Sequence, residues 1–76
     1  MSVECIGIVQ NIGQDNLDGV TVYGSSYIGD LKIEESIDYV GNLNIGEKAQ
    51  FSLIFIDIEN VENLLFEVSD VEGFKK

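Results

Sequence analysis

The chain has 76 residues, of which 45% are hydrophobic, and this length allows one small domain that buries about 60% of its unfolded surface. Fourteen carboxylates against four lysines give a net charge of −10, which disfavours binding to nucleic acid and to anionic lipid. Without histidine and with one cysteine, the chain lacks the residues for Ser-His-Asp or Cys-His catalysis, histidine-ligated zinc and an internal disulfide.

The chain begins with two predicted strands. Residues 3–12 (VECIGIVQNI) are rich in β-branched residues, and a loop of turn-forming residues follows from Gly13. Residues 20–27 then alternate apolar and polar side chains as far as a turn at Gly29. This period of two is the spacing of a strand with one buried face.

A third region carries four large apolar residues on one predicted face: Leu31, Ile33, Ile37 and Tyr39. Glu35 falls on the same face and interrupts it. The interruption predicts either a bulge or two short strands before the break at Gly41.

The clearest strand signal follows a glycine turn at Gly46 and runs to residue 55. Apolar residues occupy every second position there: Ala49, Phe51, Leu53 and Phe55. Residues 57–63 (DIENVEN) are compatible with a long loop or a short helical turn. A last strand is predicted over residues 64–68, before a charged tail over residues 71–76.

These elements predict an all-β fold. No apolar pattern of helical period persists over three turns, so we expect no substantial helix. Short strands separated by glycine and asparagine predict an immunoglobulin-like antiparallel β-sandwich of about 6–7 short strands. We expect a single domain over residues 1–76, with its core in residues 3–70, and the chain is compatible with a domain cut from a longer protein.

Neither membrane insertion nor secretion is signalled by the chain as given. No apolar run approaches the roughly 20 residues of a membrane helix. The N-terminus has no basic segment followed by an apolar block, and Cys5 does not follow a lipoprotein signal. Cys5 falls in register with Val3 and Val9, which predicts a small buried apolar side chain.

Three residues have predicted roles in folding. Asn11, at a strand end, is placed to bond its side-chain amide to the backbone of the following turn. Gly46 suits a tight turn or a positive φ, and Gly7 suits a bulge or the close approach of a neighbouring strand.

Four segments give the chain a resemblance to a known family: residues 7–11 (GIVQN), 19–23 (GVTVY), 43–47 (LNIGE) and 51–53 (FSL). Their order resembles the FxLyD domain and the related CARDB (cell adhesion related) domains, over roughly residues 3–68. Ile45 stands where those families usually have proline. The resemblance implies an immunoglobulin-like module of a secreted, envelope-bound or cell-surface protein, with structural, adhesive or binding roles and no catalytic residues.

Acidic loops are one candidate site. Asp15, Asn16 and Asp18 crowd one loop, and three carboxylates lie in residues 57–63. Ca²⁺ takes six to eight oxygen ligands of this kind. The alternative is that these loops simply form a solvated surface on an acidic protein.

Isoleucines on the predicted outer faces are the other candidate. Ile6 and Ile8 face away from the apolar side of the first strand, and Ile54 and Ile56 do so in the fourth. If the two strands are neighbours, these residues form one exposed contact patch. The alternative is that Phe74 or residues 57–63 cover them.

Catalysis is not predicted. Glu34 and Glu35 are a possible acid–base pair, but neighbours on a strand point to opposite faces. We predict a non-catalytic structural or protein-interaction module, without a cofactor, whose partner is another protein or a neighbouring domain. A Ca²⁺-dependent adhesion or ligand-binding module is the alternative.

Overall fold

The computed structural model describes residues 2–56 and 64–76 of the chain. Five strands make up this part: β1 Val3–Gln10, β2 Leu17–Ile28, β3 Leu31–Leu43, β4 Lys48–Phe55 and β5 Leu64–Lys75. They form two antiparallel sheets, one in the order β1-β4 and the other in the order β3-β2-β5. No helix occurs in the described ranges, so the prediction of an all-β fold is confirmed.

The predicted number of strands is corrected. The described residues contain five strands rather than six or seven, and three of the five are 12 or 13 residues long. β3 runs through Glu35 as one strand, so the alternative of two short strands is wrong. Its register with β2 shifts between Glu34 and Lys32, so the predicted irregularity occurs as a bulge next to Glu35. The last strand passes the expected end at residue 68 and pairs with β2 as far as Lys75. The predicted loop or helical turn over residues 57–63 lies outside the described part.

The core lies between the inner faces of the two sheets. Val22 of β2 and Leu53 and Phe55 of β4 are buried at its centre, as the alternation in β4 predicted for the last two. Partly buried apolar residues surround them: Val3, Cys5, Val9, Val40, Phe51, Leu64 and Phe66. The rings of Phe55 and Phe66 have centroids 5.1 Å apart, a tilted contact that joins β4 to β5.

Asn11 fixes the loops at one end of the molecule. Its Nδ2 donates to the carbonyl oxygens of Asp15 at 2.8 Å and Leu43 at 3.0 Å, and its Oδ1 accepts from the N–H of Gly13 at 3.0 Å. Only 6% of the residue is exposed. The predicted role of this asparagine is therefore confirmed.

Gly46 and Gly7 also have their predicted roles. Gly46 adopts φ 81° in the turn before β4, a conformation that L side chains rarely adopt. Gly7 pairs with Phe51, and a Cβ on Gly7 would lie 2.5 Å from Cζ of that ring. The absence of a side chain at position 7 thus lets the ring cross over β1.

Candidate protein interface on the two-stranded sheet

The outer edge of β4 is capped by side chains of β3. The N–H of Ser52 donates to Oδ2 of Asp38 at 2.7 Å, and the N–H of Ile54 donates to Oγ of Ser36 at 3.0 Å. The N–H of Ile56, just past the strand, lies 3.1 Å from both carboxylate oxygens of Glu34. Side chains at every second position of β3 therefore take the place of a neighbouring strand along this edge.

The capped N–H groups of β4 show which residues of β1 have main-chain groups that do not bond to β4. Because even-numbered residues of β4 turn their N–H groups toward β3, its odd-numbered residues bond to β1. Their partners in β1 are Val3, Cys5, Gly7 and Val9. The main-chain groups of the remaining positions point away from β4: Glu4, Ile6, Ile8 and Gln10. Within the described residues no strand pairs with this side of β1.

Three of the predicted isoleucines, Ile6, Ile8 and Ile54, alternate with core residues on the outer side of the β1-β4 sheet, and Ile56 follows one residue past β4. The hydroxyl of Ser52 donates to the carboxylate of Glu4 between Ile6 and Ile54. The register places Ile6 opposite Ser52 and Glu4 opposite Ile54, so the expectation that these two strands are neighbours is confirmed. The exposed fractions are 59% for Ile6, 62% for Ile8, 52% for Ile54 and 70% for Ile56. We call this set the isoleucine face.

Phe74 does not cover the isoleucine face. It lies in β5 opposite Asp18, with its ring 3.4 Å from the position that a Cβ of Gly19 would occupy, and is itself 68% exposed. The other predicted cover, residues 57–63, lies outside the described part. On the described residues, the isoleucine face is a solvent-facing apolar surface.

A cleft of about 180 Å³ opens beside β1, between the two sheets. Its walls are mainly apolar: Cys5 of β1, Phe51, Leu53 and Phe55 of β4, and Phe66 and Val68 of β5. Cys5 is a free, partly buried thiol, as its alternation with valines predicted in part. The cleft therefore joins the inner face of β1 to the last strand of the other sheet.

The predicted cation-binding residues have protein partners. Oδ2 of Asp15 lies 3.5 Å from Nζ of Lys75, and Oδ1 of Asp18 lies 3.8 Å from Nζ of Lys76. Oδ1 of Asn16 accepts from the N–H of Ile45 at 2.9 Å. These contacts fasten the loop to β5 and to the turn before β4.

No group of three or more acidic or thiol side chains that could hold a metal ion occurs in residues 2–56 and 64–76. The second predicted acidic segment, with Asp57, Glu59 and Glu62, lies outside those ranges.

Two titratable groups on the three-stranded sheet are perturbed. Partial burial, followed by the charge and hydrogen bond of Glu72, raises the pKa of Tyr23 above its ordinary value of 10.0. A hydrogen bond to Glu35 raises the pKa of Lys32 above 10.5, with the carboxylate charge as a further cause. Both groups keep their protons at neutral pH, so neither is prepared for acid–base chemistry there.

The capping side chains of β3 were not predicted from the sequence. Their signal is the spacing of Glu34, Ser36 and Asp38, three hydrogen-bond acceptors at every second position opposite a run of apolar residues. Ile37 and Tyr39, on the other side of the strand, are 60% and 66% exposed. The apolar face of this strand therefore points to solvent and its polar face points toward β4.

Comparison with known proteins identifies no relative. No known family's model, no curated protein and no solved structure matches this chain. The described part also contains no helix long and apolar enough to cross a membrane. Across residues 2–56 and 64–76 the chain forms two antiparallel sheets, in which side chains of β3 cap the edge of β4 and no described strand pairs with the edge of β1. We call these the capped edge and the open edge.

Proposed function

We propose that this chain is a non-catalytic β-sandwich module that binds a protein partner or a neighbouring domain. The observation that carries the proposal is the isoleucine face, where four isoleucines, three on paired strands and one just past β4, are each at least half exposed. Several large apolar side chains exposed on one side of a sheet mark contact sites more often than isolated exposed residues do.

Burial of the isoleucine face alone does not give stable binding. Burying the exposed halves of four isoleucines contributes about 1 kcal/mol each, or about 4 kcal/mol together. Association costs about 4 to 15 kcal/mol in lost motional freedom. The isoleucine face therefore needs further contacts from the same partner to give stable binding, and a tandem arrangement of domains would reduce the cost.

We further propose that the fold is a reduced immunoglobulin-like sandwich of the FxLyD and CARDB kind, in a secreted or surface-associated protein. The support is the resemblance in residues 7–11, 19–23 and 43–47. Asn11 and Gly46, which belong to these segments, have structural roles that any sequence with this turn arrangement would need. The roles of such modules are structural, adhesive or binding.

The alternative of a Ca²⁺-dependent module has less support. Asp15 and Asp18 face lysine ammonium groups, and a cation would have to displace both. The oxygen of Asn16 is already an acceptor for a backbone N–H. We therefore favour the protein-binding role.

The test is site-specific photo-crosslinking in the cells that make the protein. A photoreactive residue at Ile54 is expected to capture a defined partner, and one at Ile37, an equally exposed isoleucine on the other sheet, is not. Ile6→Lys is expected to abolish capture from position 54. Equal capture from both positions, or capture that survives Ile6→Lys, would remove the isoleucine face as the binding surface.

A further inference from the structure

We propose that the open edge of β1 binds an extended segment of a partner protein as an added strand, and that this segment has apolar residues at alternate positions and basic residues at its ends. This inference rests on the proposed protein-binding function and specifies its mode. It also names the chemistry of the partner: a cationic β-strand.

The two edges of the β1-β4 sheet differ in a way that supports strand addition. Asp38, Ser36 and Glu34 occupy the N–H groups on the β4 side. On the β1 side, four successive even-numbered positions turn their main-chain groups outward over an eight-residue strand. Proteins usually protect such edges with charges, proline or a bulge, and β1 has one carboxylate, Glu4, and no proline. A regular edge that no described strand pairs with is the kind of surface used in recognition by β-augmentation.

The cleft beside β1 fits the side chains of an added strand. A strand paired to β1 would direct alternate side chains toward the inner face, where Cys5, Phe66 and Val68 line the cleft of about 180 Å³. A cavity of about 150 Å³ with apolar walls accommodates a benzene-sized group, so one aromatic or large aliphatic side chain fits here. The side chains on the other face of the added strand would lie beside Ile6 and Ile8 of the isoleucine face.

Charge selects a cationic partner rather than a second copy of this chain. Two copies would each bring a net charge of −10 to the contact. Three of the four lysines are paired with carboxylates away from the β1 edge: Lys32, Lys75 and Lys76. Near the edge lie Glu67 at the cleft and Glu4, whose carboxylate accepts a hydrogen bond from Ser52 of β4. The fourth lysine, Lys48, pairs with Gln10 at the end of β1, so two carboxylates against one lysine leave the surroundings of the edge net negative. Lysine or arginine at the ends of the added strand would complement this field.

The experiment uses a synthetic peptide, KKVTVTFTVTKK, and the full chain. Binding is measured by calorimetry, and the rate of Cys5 modification by a thiol reagent reports on occupancy of the cleft. The control peptides are a permutation without alternation, KKTTVFVVTTKK, and a version with glutamate in place of every lysine. The alternating cationic peptide is expected to bind and to slow Cys5 modification, and both control peptides are expected to bind at least about tenfold more weakly.

Two variants localise the binding. Ile8→Pro removes an outward N–H without removing a bond to β4, and Val68→Trp fills the cleft from β5. Each is expected to weaken peptide binding about tenfold or more while circular dichroism shows an unchanged fold. Ile37→Lys, on the other sheet, is the matched control and is expected to bind like the wild type.

Several outcomes would overturn the inference. Peptide binding that leaves the Cys5 rate unchanged and survives both variants would place the contact elsewhere. Equal binding of the glutamate peptide would remove the charge requirement, and a wild-type dimer that Ile8→Pro dissociates would make a second copy the occupant. Absence of peptide binding, with crosslinking at Ile54 still specific, would refute strand addition and leave the protein-binding function standing. Failure of both experiments would refute both proposals.

Discussion

Substitution of Asp38 tests whether a side chain replaces a neighbouring strand at the edge of β4. Oδ2 of this residue accepts from the N–H of Ser52 at 2.7 Å in a partly buried contact. Asp38→Ala leaves the Ser52 N–H without that acceptor. We expect Asp38→Ala to unfold more easily than the wild type, because a hydrogen bond to a charged group contributes about 1.5 to 3 kcal/mol.

Comparison of Asp38→Ala with Asp38→Asn separates the hydrogen bond from the charge. Both variants remove one carboxylate from a chain of net charge −10, so both relieve the same self-repulsion. Asparagine keeps an oxygen acceptor and alanine does not. The alanine variant should therefore be less stable than the asparagine variant by about 1 kcal/mol, the usual contribution of a neutral hydrogen bond.

Urea denaturation followed by circular dichroism measures this difference. A domain of this size has an expected stability of about 4 to 11 kcal/mol, and a urea dependence of about 1 kcal/mol per molar. The midpoint for Asp38→Ala should therefore lie about 1 M below that for Asp38→Asn. Ser36→Ala, which removes a more exposed neutral acceptor, should shift the midpoint by less than Asp38→Ala. Equal midpoints for Asp38→Ala and Asp38→Asn would refute the capping of Ser52.

Three further results are expected. Asn11→Ala should lower the free energy of unfolding by about 2 to 4 kcal/mol in urea denaturation, because three hydrogen bonds are lost and the carbonyl of Leu43 is left buried. Tyr23 should titrate above pH 10.0 in an absorbance titration of the phenolate. Because its pKa is raised in the folded state, Tyr23 keeps its proton in the folded protein at a pH where the unfolded chain has lost it. The resulting contribution to the free energy of unfolding is complete below pH 10.0 and is lost as pH rises through the folded pKa. Tyr23→Phe should therefore make stability decline less steeply in this pH range. Ca²⁺ at about 1 to 10 mM should leave the melting temperature of the wild type unchanged beyond the effect of matched ionic strength.

Each of these expectations has an outcome that contradicts it. A loss below about 0.5 kcal/mol for Asn11→Ala would mean that water replaces the lost bonds at little cost. A steeper alkaline decline for Tyr23→Phe than for the wild type would reverse the assigned effect of Glu72. A rise in melting temperature with Ca²⁺, absent with Mg²⁺ at equal ionic strength, would restore the Ca²⁺-dependent alternative.

The alternation in β4 was sufficient to predict that strand because its two faces have different environments. Leu53 and Phe55 lie on the core side, and the alternate residue between them, Ile54, is exposed, as is Gln50 earlier in the strand. The same reasoning placed Ile54 on the outer face. In a strand with one buried face, the alternation of residues in the sequence identifies which side chains face the core.

β3 shows where this reasoning fails. The sequence places large apolar residues on one face and acceptors on the other, and the usual inference buries the apolar face. In the structure Ile37 is exposed, and Ser36 and Asp38 turn toward β4. In this orientation the acceptors of β3 satisfy N–H groups of β4 that have no strand partner. This interaction depends on the tertiary contact between β3 and β4, so the sequence of β3 alone does not predict it.

The sequence did not predict the full length of β5, because that length also depends on a tertiary contact. Three of the six residues in 71–76 are charged, which predicts a solvated tail, yet the strand continues to Lys75. β2 offers its edge to this segment, and the N–H of Lys76 bonds to the carbonyl oxygen of Asn16 at 3.0 Å. Strand pairing is formed by backbone N–H and C=O groups, so a segment with charged side chains can extend a sheet when a neighbouring strand has a free edge.

The sequence predicted a contact site on the outer face of the β1-β4 sheet, and the structure adds the unpaired edge of β1 to that site. Alternation identifies Ile6 and Ile8 as outward-facing, but the direction of their main-chain groups depends on the register with β4. That register, together with the capping by Asp38, leaves β1 open on one side. The cleft beside Cys5 likewise needs two sheets and has no counterpart in any single segment.

Amide hydrogen exchange by NMR tests the difference between the two edges most directly. The amides of Ser52 and Ile54 should be protected like those of a paired strand, because Asp38 and Ser36 accept from them. The amides of Ile6 and Ile8 should exchange at rates close to those of an unfolded chain and become protected when the cationic peptide is bound. Strong protection of Ile6 and Ile8 in the free protein, or rapid exchange at Ser52 and Ile54, would contradict the assignment of a capped edge and an open one.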